Sequence, residues 1–226
     1  MALFYRKGCY LTGLFSRKGG LIVRNVAVDS LRGKVALNGG KPASGARNIH
    51  RINRLVKEHG YDSTMSHILC NMYDYMEKKQ WLGACHAISS VLYVALSEIG
   101  YKPSLCIGEV TGNNLYFDHS WITIDGMIID FAINKTLLNG DPASGIIIFD
   151  QDIETGLSSC LTYGVQGRGI EDDALLVAEM PFVTFMNMYP DEEKGLWSIV
   201  EKVLGTTIDI SQMEQKYEHV TRKLIR

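Results

Sequence analysis

Residues 116 to 130 read YFDHSWITIDGMIID, and this stretch decides the fold around it. Asp-Gly between two apolar runs is a strong signal for a two-residue hairpin turn, so Asp125-Gly126 predicts an antiparallel hairpin. With these two residues as the loop, counting outward gives three facing pairs: Ile124 with Met127, Trp121 with Asp130, and His119 with Ala132. The sequence therefore predicts one register for both strands.

The predicted hairpin has one apolar face and one polar face. Side chains two residues apart share a face of a strand. The apolar face carries Ile122, Ile124, Met127 and Ile129. His119 and Trp121 lie on the other face with Asp130, and the diagonal relation of His119 to Asp130 lets the two side chains meet. A shift of one residue in the register would separate them.

A cysteine begins the helix predicted before the hairpin. From Cys85 onward apolar residues recur at helical spacing until Gly100, a typical stop after a helix. The free N–H groups and the positive end of the dipole at a helix N-terminus lower the pKa of a thiol, and the thiolate is the nucleophile. Cys85 is thus a candidate nucleophile, and its backbone N–H is a candidate oxyanion donor.

Cys85, His119 and Asp130 together predict a Cys-His-Asp triad. His119 would take the proton of the thiol and later donate a proton to the leaving group, while Asp130 orients the imidazole and favours its charged form. We expect His86 to point away from the thiol, because consecutive residues of a helix lie about 100° apart. His86 is therefore not predicted to be the base.

Three further side chains are candidates for oxyanion or substrate binding. Gln80 could offer its side-chain N–H as a second oxyanion donor, or simply continue the polar run that precedes it; Trp81 competes for the same role. Trp121 either shields the contact between His119 and Asp130 from water or is an ordinary aromatic residue of a half-buried strand.

The order of predicted elements indicates an α+β fold. Helices are predicted over 46–58, from Asp62 or Ser63 to about 76, from Cys85 to about 99, and over 172–179, 190–204 and 211–225. The capping box Ser211-x-x-Glu214 is predicted to begin the last of them. Strands are predicted over 103–110, 116–124, 127–133 and 146–149. We expect a basic, Gly-rich N-terminal arm (1–45) and one catalytic domain (46–226) with a C-terminal helical extension (171–226).

Composition narrows the class of protein. The chain of 226 residues is 46% hydrophobic and 21% charged, which is ordinary for a globular protein. No apolar run is long enough to cross a bilayer. Five scattered cysteines without a CxxC pair argue against a disulfide framework and a zinc site of the usual spacing, so we expect a reducing compartment, no metal and no cofactor. The predicted location is cytoplasmic, with a secreted effector as the alternative.

Positive charge is concentrated at the N-terminus. Residues 1–57 contain twelve Lys or Arg and one acid, Asp29, whereas the net charge of the whole chain is −2. This asymmetry predicts either a basic surface that binds an acidic partner or a polyanion, or a segment that lies across the acidic body of its own chain. A third possibility is a pro-segment or lid that covers Cys85.

A helix headed by Cys85, then His119-Ser-Trp121, a glycine turn and Asp130 resemble the core of the transglutaminase-like superfamily of papain-like enzymes. The resemblance covers residues 81–134, about a quarter of the chain, and within the superfamily it is most similar to the leader-peptide proteases of lasso-peptide biosynthesis. It implies that the Cys85 helix packs on an antiparallel sheet presenting His119 and Asp130, and that the acyl group is carried as a thioester on Cys85.

Three functions follow as hypotheses. The first is a cysteine-dependent hydrolase or acyltransferase that acts on an amide or peptide bond, with a peptide or protein substrate. The second is a glutamine deamidase or transglutaminase, which uses the same thioester. The third is a non-catalytic binding module that uses the basic N-terminal region. The sequence does not specify the oligomeric state.

Overall fold

The computed structural model describes residues 44–112, 115–136, 142–189 and 193–225. In this part of the chain seven helices accompany a curled, largely antiparallel sheet of seven strands, so the predicted α+β class is confirmed. The predicted basic arm, 1–45, lies outside the described residues except for its last two, which begin the first helix.

Three N-terminal helices form the layer that carries Cys85. They are α1 (Ser44–Glu58), α2 (Ser63–Lys79) and α3 (Cys85–Glu98). Asp62 caps α2, because its Oδ1 accepts hydrogen bonds from the backbone N–H groups of Thr64 (2.9 Å) and Met65 (3.1 Å). These helices match the predicted ones within two or three residues at each end.

Seven strands form the sheet, and the first of them in the chain pairs with three others. Its strands are β1 (Ser104–Gly112), β2 (Leu115–Ile124), β3 (Met127–Asp130), β4 (Ile147–Ile148), β5 (Gln151–Asp152), β6 (Thr162–Val165) and β7 (Lys223–Ile225). The order is β5-β4-β3-β2-β1-β6, and β7 lies parallel to β1 on the side of β1 that also pairs with β6. All other pairings are antiparallel.

The hairpin between β2 and β3 has the predicted register. Ile122 faces Ile129 and Ile124 faces Met127, and the two loop residues, Asp125 (φ 52°) and Gly126 (φ 82°), both adopt left-handed conformations. A two-residue loop with positive φ at both positions matches the right-handed twist of the strands. The prediction of this register is confirmed.

The two faces of the sheet are buried differently. Ile122, Ile124 and Ile129 join the main core with residues of the helices, whereas Trp121 belongs to a second cluster on the opposite face that includes Cys106 and Ile147. The alternation of the hairpin therefore separates the helix-packed face from the face that carries His119 and Asp130.

The C-terminal part is less helical than predicted. Its helices are α4 (Asp172–Glu179), α5 (Phe182–Asn187), α6 (Trp197–Leu204) and α7 (Ile210–Tyr217). The helix predicted over 190–204 begins only at Trp197, after a turn over 193–196, and residues 190–192 lie outside the described part. The N-cap of α7 is Asp209, which accepts from the N–H of Gln212 (3.2 Å), and not Ser211.

The helix predicted over 211–225 was wrong beyond Tyr217, where the chain leaves α7 and forms β7 on β1. Arg222 fixes this departure: it is buried, donates to the carbonyl of Val177 (3.0 Å) and lies over the ring of Phe185 (4.3 Å). Backbone hydrogen bonds to β1 replace those that a longer helix would make. The extension 171–226 is therefore not wholly helical.

Candidate active site

Cys85 is the first residue of α3 and is half-buried. The loop before it contacts the short 3₁₀ helix Ile133–Lys135 that follows β3, because the N–H of Gly83 donates to the carbonyl of Lys135 (2.7 Å). Gly83 has a φ of 65°, a conformation that glycine adopts without strain. The thiol thus lies at a helix N-terminus, as predicted. The helix after it and the hydrogen bond of Gly83 before it hold the backbone at this position.

His119 and Asp130 meet on one face of the hairpin. The Nε2 of His119 lies 2.7 Å from Oδ2 of Asp130, and each residue is only 2% exposed. Because this contact occupies Nε2, the other ring nitrogen of His119 is the one left for the thiol of Cys85, whose charge and hydrogen bonding raise the pKa of the imidazole. The contact required of a base and its orienting carboxylate is therefore present.

Asp130 accepts four hydrogen bonds. Its Oδ1 accepts from the N–H groups of Ala132 (3.1 Å) and Ile133 (3.2 Å), and its Oδ2 accepts from His119 and from the hydroxyl of Tyr163 (2.8 Å). The first pair forms a tight turn that ends β3 at Asp130. The strand predicted over 127–133 was therefore too long, because the carboxylate takes the backbone N–H groups that a continuing strand would use.

The electrostatics of the site favour a thiolate–imidazolium pair. Burial raises the pKa of the Cys85 thiol, but the charges of His86 and His119 and hydrogen bonds from both imidazoles lower it by more, so the pKa lies well below its usual range. Burial lowers the pKa of His119, but Asp130 and the Cys85 thiolate raise it by more, to about 10. Each charge therefore stabilises the other.

Cys85 interacts with His119, and its neighbour His86 with Ser120, along a stretch of β2 that has a partner strand on one side only among the described residues; this stretch is an open edge of β2. Strand β3 pairs with β2 only from Ile122 to Ile124, so the preceding residues of β2 have no partner strand on that side within the described chain. The beginning of α3 reaches this edge, where Nδ1 of His86 lies 2.7 Å from Oγ of Ser120. The consecutive residues His119 and Ser120 point to opposite faces.

The three accessory candidates are placed differently. Trp121 is buried on the face of the hairpin that carries His119 and Asp130, and its ring centroid lies 5.0 Å from that of Tyr163. Trp81 is buried between Tyr75 and Tyr189, at centroid distances of 5.6 and 5.0 Å. Trp81 therefore packs in the core.

Gln80 ends α2 in a left-handed conformation. Its Nε2 donates to the carbonyl of Glu77 (2.7 Å), and its Oε1 accepts from Nζ of Lys135 (3.0 Å). The side-chain amide is thus engaged at the end of its own helix, and the structure does not bring it together with the triad. The N–H of Cys85 stays the candidate oxyanion donor.

Sequence reasoning missed two side chains of the site. Tyr163 lies on β6, three strands from Asp130, and nothing in the local pattern links the two residues. The second is His86, which was expected to point away from the thiol, whereas its charge and hydrogen bonding lower the pKa of Cys85. A signal was available, because a Ser at position 120 next to His119 offers a hydroxyl on the face toward α3.

The four cysteines that the structure describes are all free thiols. Within the described residues no group of three or more His, Cys, Asp or Glu side chains could hold a metal ion. The described helices include none with the length and apolar character needed to cross a membrane.

No protein family, curated protein or solved structure matches the chain. The chemistry of the site must therefore be inferred from its own geometry.

We expect iodoacetamide to alkylate Cys85 before Cys70 and Cys106 at about pH 7, because alkylation needs a thiolate. Burial raises the pKa of Cys70 to about 11 and also raises that of Cys106, whereas the pKa of Cys85 is lowered. Since the Cys85 thiolate persists at lower pH, its rate of alkylation changes little between about pH 7 and 9, unlike that of an ordinary thiol. Peptide mass mapping gives the rate for each cysteine.

The Cys85→Ala variant is the control that assigns the fast label. In His119→Ala the alkylation midpoint of Cys85 moves to higher pH, because one positive neighbour is lost. A wild-type Cys85 that alkylates more slowly than Cys70 would contradict this electrostatic description of the site.

Tyr163→Phe removes one donor from the Asp130 carboxylate, and we expect the free energy of unfolding to fall by about 1.5 kcal/mol or more, since hydrogen bonds to charged groups are strong. The matched control is Tyr73→Phe, which removes a hydroxyl that accepts from the neutral amide of Asn48 (3.2 Å) and should cost about 1 kcal/mol or less. Urea denaturation measures both. Equal losses in the two variants would show that the bond to Asp130 has no special strength.

Proposed function

We propose that the protein is a cysteine-dependent hydrolase or acyltransferase that acts on an amide or peptide bond through a thioester on Cys85. The observation that carries the proposal is the single imidazole of His119, which is buried between the carboxylate of Asp130 and the thiol of Cys85. A buried His–Asp contact alone is also found in structural networks. Its connection to a partly exposed thiol at a helix N-terminus is what favours catalysis.

The chemistry follows from the charges. His119 takes the thiol proton, and the sulfur attacks the carbonyl carbon of the substrate while the oxyanion is bound by N–H groups at the start of α3. The C–N bond breaks, and the leaving amine needs a proton. Water or another nucleophile then loses a proton, attacks the thioester carbonyl and displaces the Cys85 sulfur. An imidazole beside the sulfur supplies both proton transfers.

The proposed fold of the core, residues 81–134, is transglutaminase-like. The support is the arrangement itself: a helix headed by Cys85, followed by a hairpin that presents His119 and Asp130. A peptide or protein substrate fits a thioester mechanism. Glutamine deamidation or transamidation would use the same thioester and differ only in the bond cleaved and the nucleophile that enters.

The basic N-terminal region has a role that its described part begins to define. In α1, Arg51 donates hydrogen bonds to the carbonyls of Ile153 (2.5 Å) and Glu154, and Arg54 pairs with Glu58 (3.6 Å). Arg51 therefore contacts the protein's own body through backbone carbonyls, whereas the partner of Arg54 lies in the same helix. The contact of Arg51 supports the second of the predicted roles for this end of the segment. Binding of a polyanion by the rest is a proposal.

The direct test is to trap the acyl-enzyme. We expect p-nitrophenyl acetate to acetylate wild-type Cys85, and a peptide library to leave a peptidyl adduct on the same residue, because the sulfur is the strongest nucleophile of the site. Asp130→Asn should slow acetylation by about a hundredfold or more, since the carboxylate no longer sets the charge and orientation of His119. Intact-mass and peptide mass spectrometry measure the adduct.

Cys85→Ala is the control for the position of the adduct, and Cys70→Ala is the matched thiol replacement outside the site. Acetylation at the same rate in Cys85→Ala, or an Asp130→Asn variant as fast as the wild type, would sink the proposed function. The non-catalytic alternative predicts that no cysteine is acylated faster than a free thiol in solution.

A further inference from the structure

His86 is a second imidazole beside the candidate nucleophile. It follows Cys85 in the first turn of α3, is half-buried, and has Nδ1 2.7 Å from Oγ of Ser120. Because the hydroxyl occupies Nδ1, Nε2 is the nitrogen left for the thiol, and the charge and hydrogen bonding of His86 lower the pKa of that thiol. The sulfur of Cys85 therefore has two imidazole neighbours, and the proposed mechanism so far uses one.

The two imidazoles differ in surroundings. His119 is 2% exposed and is held by a carboxylate and a thiol, so its ring has almost no access to water. His86 is partly open to solvent and is held by the neutral hydroxyl of Ser120, which is itself buried. A group that exchanges protons with substrate and water has to be reachable by both, and His86 meets that condition.

We propose that His86 is the catalytic acid and base for the leaving group and the incoming nucleophile, while His119 stays protonated as the counter-ion of the thiolate. This inference rests on the proposed function. It assigns the two proton transfers to His86 and the activation of the thiol to His119. Ser120 is then a positioning residue, because it fixes the ring of His86 from the strand that also carries His119.

The proton balance closes in this scheme. The Cys85 thiolate forms a C–S bond with the substrate carbonyl, the C–N bond breaks, and the leaving nitrogen takes a proton from the His86 imidazolium. Neutral His86 then takes a proton from water as the oxygen attacks the thioester, the C–S bond breaks, and the thiolate is restored with the acid product. One water is consumed, and His119 gains and loses no proton.

The charged groups around His86 come from several elements. Cys85 adjoins it on α3, and His119 and Asp118 lie on β2. The pKa of Asp118 is raised, chiefly by burial and then by the charges of Glu171 and Glu109. A hydrogen bond from the N–H of Glu171 and the charge of His86 act in the opposite direction. The carboxylate of Asp118 therefore interacts both with His86 and with Glu109 on β1 and Glu171 before α4, and these three carboxylates form the acidic side of the site.

The test separates formation of the acyl-enzyme from its breakdown. p-Nitrophenyl acetate releases a phenolate that leaves without a proton, so its burst reports the thiolate, whereas decay of the acetyl-enzyme needs a base for water. The variant is His86→Asn in the full chain, because an amide at this position keeps a partner for Ser120. The matched control is His59→Asn, a histidine packed on Phe149 (ring centroids 4.8 Å apart) outside the site.

We expect His86→Asn to slow the burst, because the thiolate loses one positive neighbour, but to slow decay of the acetyl-enzyme further, by about a hundredfold, so that acetylated Cys85 accumulates. A loss of decay that exceeds the loss of the burst is a readout that a merely structural role of His86 would not give. His119→Gln should instead abolish the burst. Far-UV circular dichroism and urea denaturation report whether each variant keeps its fold.

The outcomes are distinct. If the wild type forms an acetyl-enzyme on Cys85 and His86→Asn, with its fold intact, breaks it down at the wild-type rate, the role of His86 is wrong and the proposed function stands. If His86→Asn does not fold, His86→Gln, with a longer amide, is measured in the same way. If wild-type Cys85 is not acetylated at all, both the function and the inference fail.

Discussion

The carboxylate of Asp130 is the group on which the rest of the site depends. Two of its hydrogen bonds, from the N–H groups of Ala132 and Ile133, end β3 and turn the chain, and the other two come from His119 and Tyr163. One buried carboxylate thus connects the hairpin, the candidate base and a strand beyond β1. A buried charge is tolerated only when it is paired and hydrogen-bonded, so these four donors and the positive imidazole are needed together.

The helix and the sheet contribute different parts of the chemistry. The N-terminus of α3 provides a half-buried thiol with backbone N–H groups nearby, and β2 provides one side chain on each face, His119 and Ser120, at an edge that β3 leaves open. The thiolate is stabilised by two imidazoles, because burial alone would keep the thiol protonated. The geometry of β2 therefore sets which histidine contacts a carboxylate and which contacts a hydroxyl and stays half-buried.

The hairpin could be predicted from sequence because its constraints are local. A two-residue Asp125-Gly126 turn and a period of two fix the register, and the register alone brings His119 to Asp130. The bond from Tyr163 and the change from α7 to β7 could not, because both depend on pairing with β1 across more than fifty residues of chain. The position of His86 was missed because helical angles describe where a side chain starts, whereas Ser120 on β2 decides where the ring ends.

The central claim is that His119 stays an imidazolium because it lies between Asp130 and the Cys85 thiolate. Nitrogen NMR of the protein labelled on its histidine rings tests this directly. At about pH 8, well above the ordinary pKa of histidine, both ring nitrogens of His119 should carry a proton, with titration near the pKa of about 10 and a large downward shift in Asp130→Asn. A neutral His119 ring in the wild type at that pH would contradict the account.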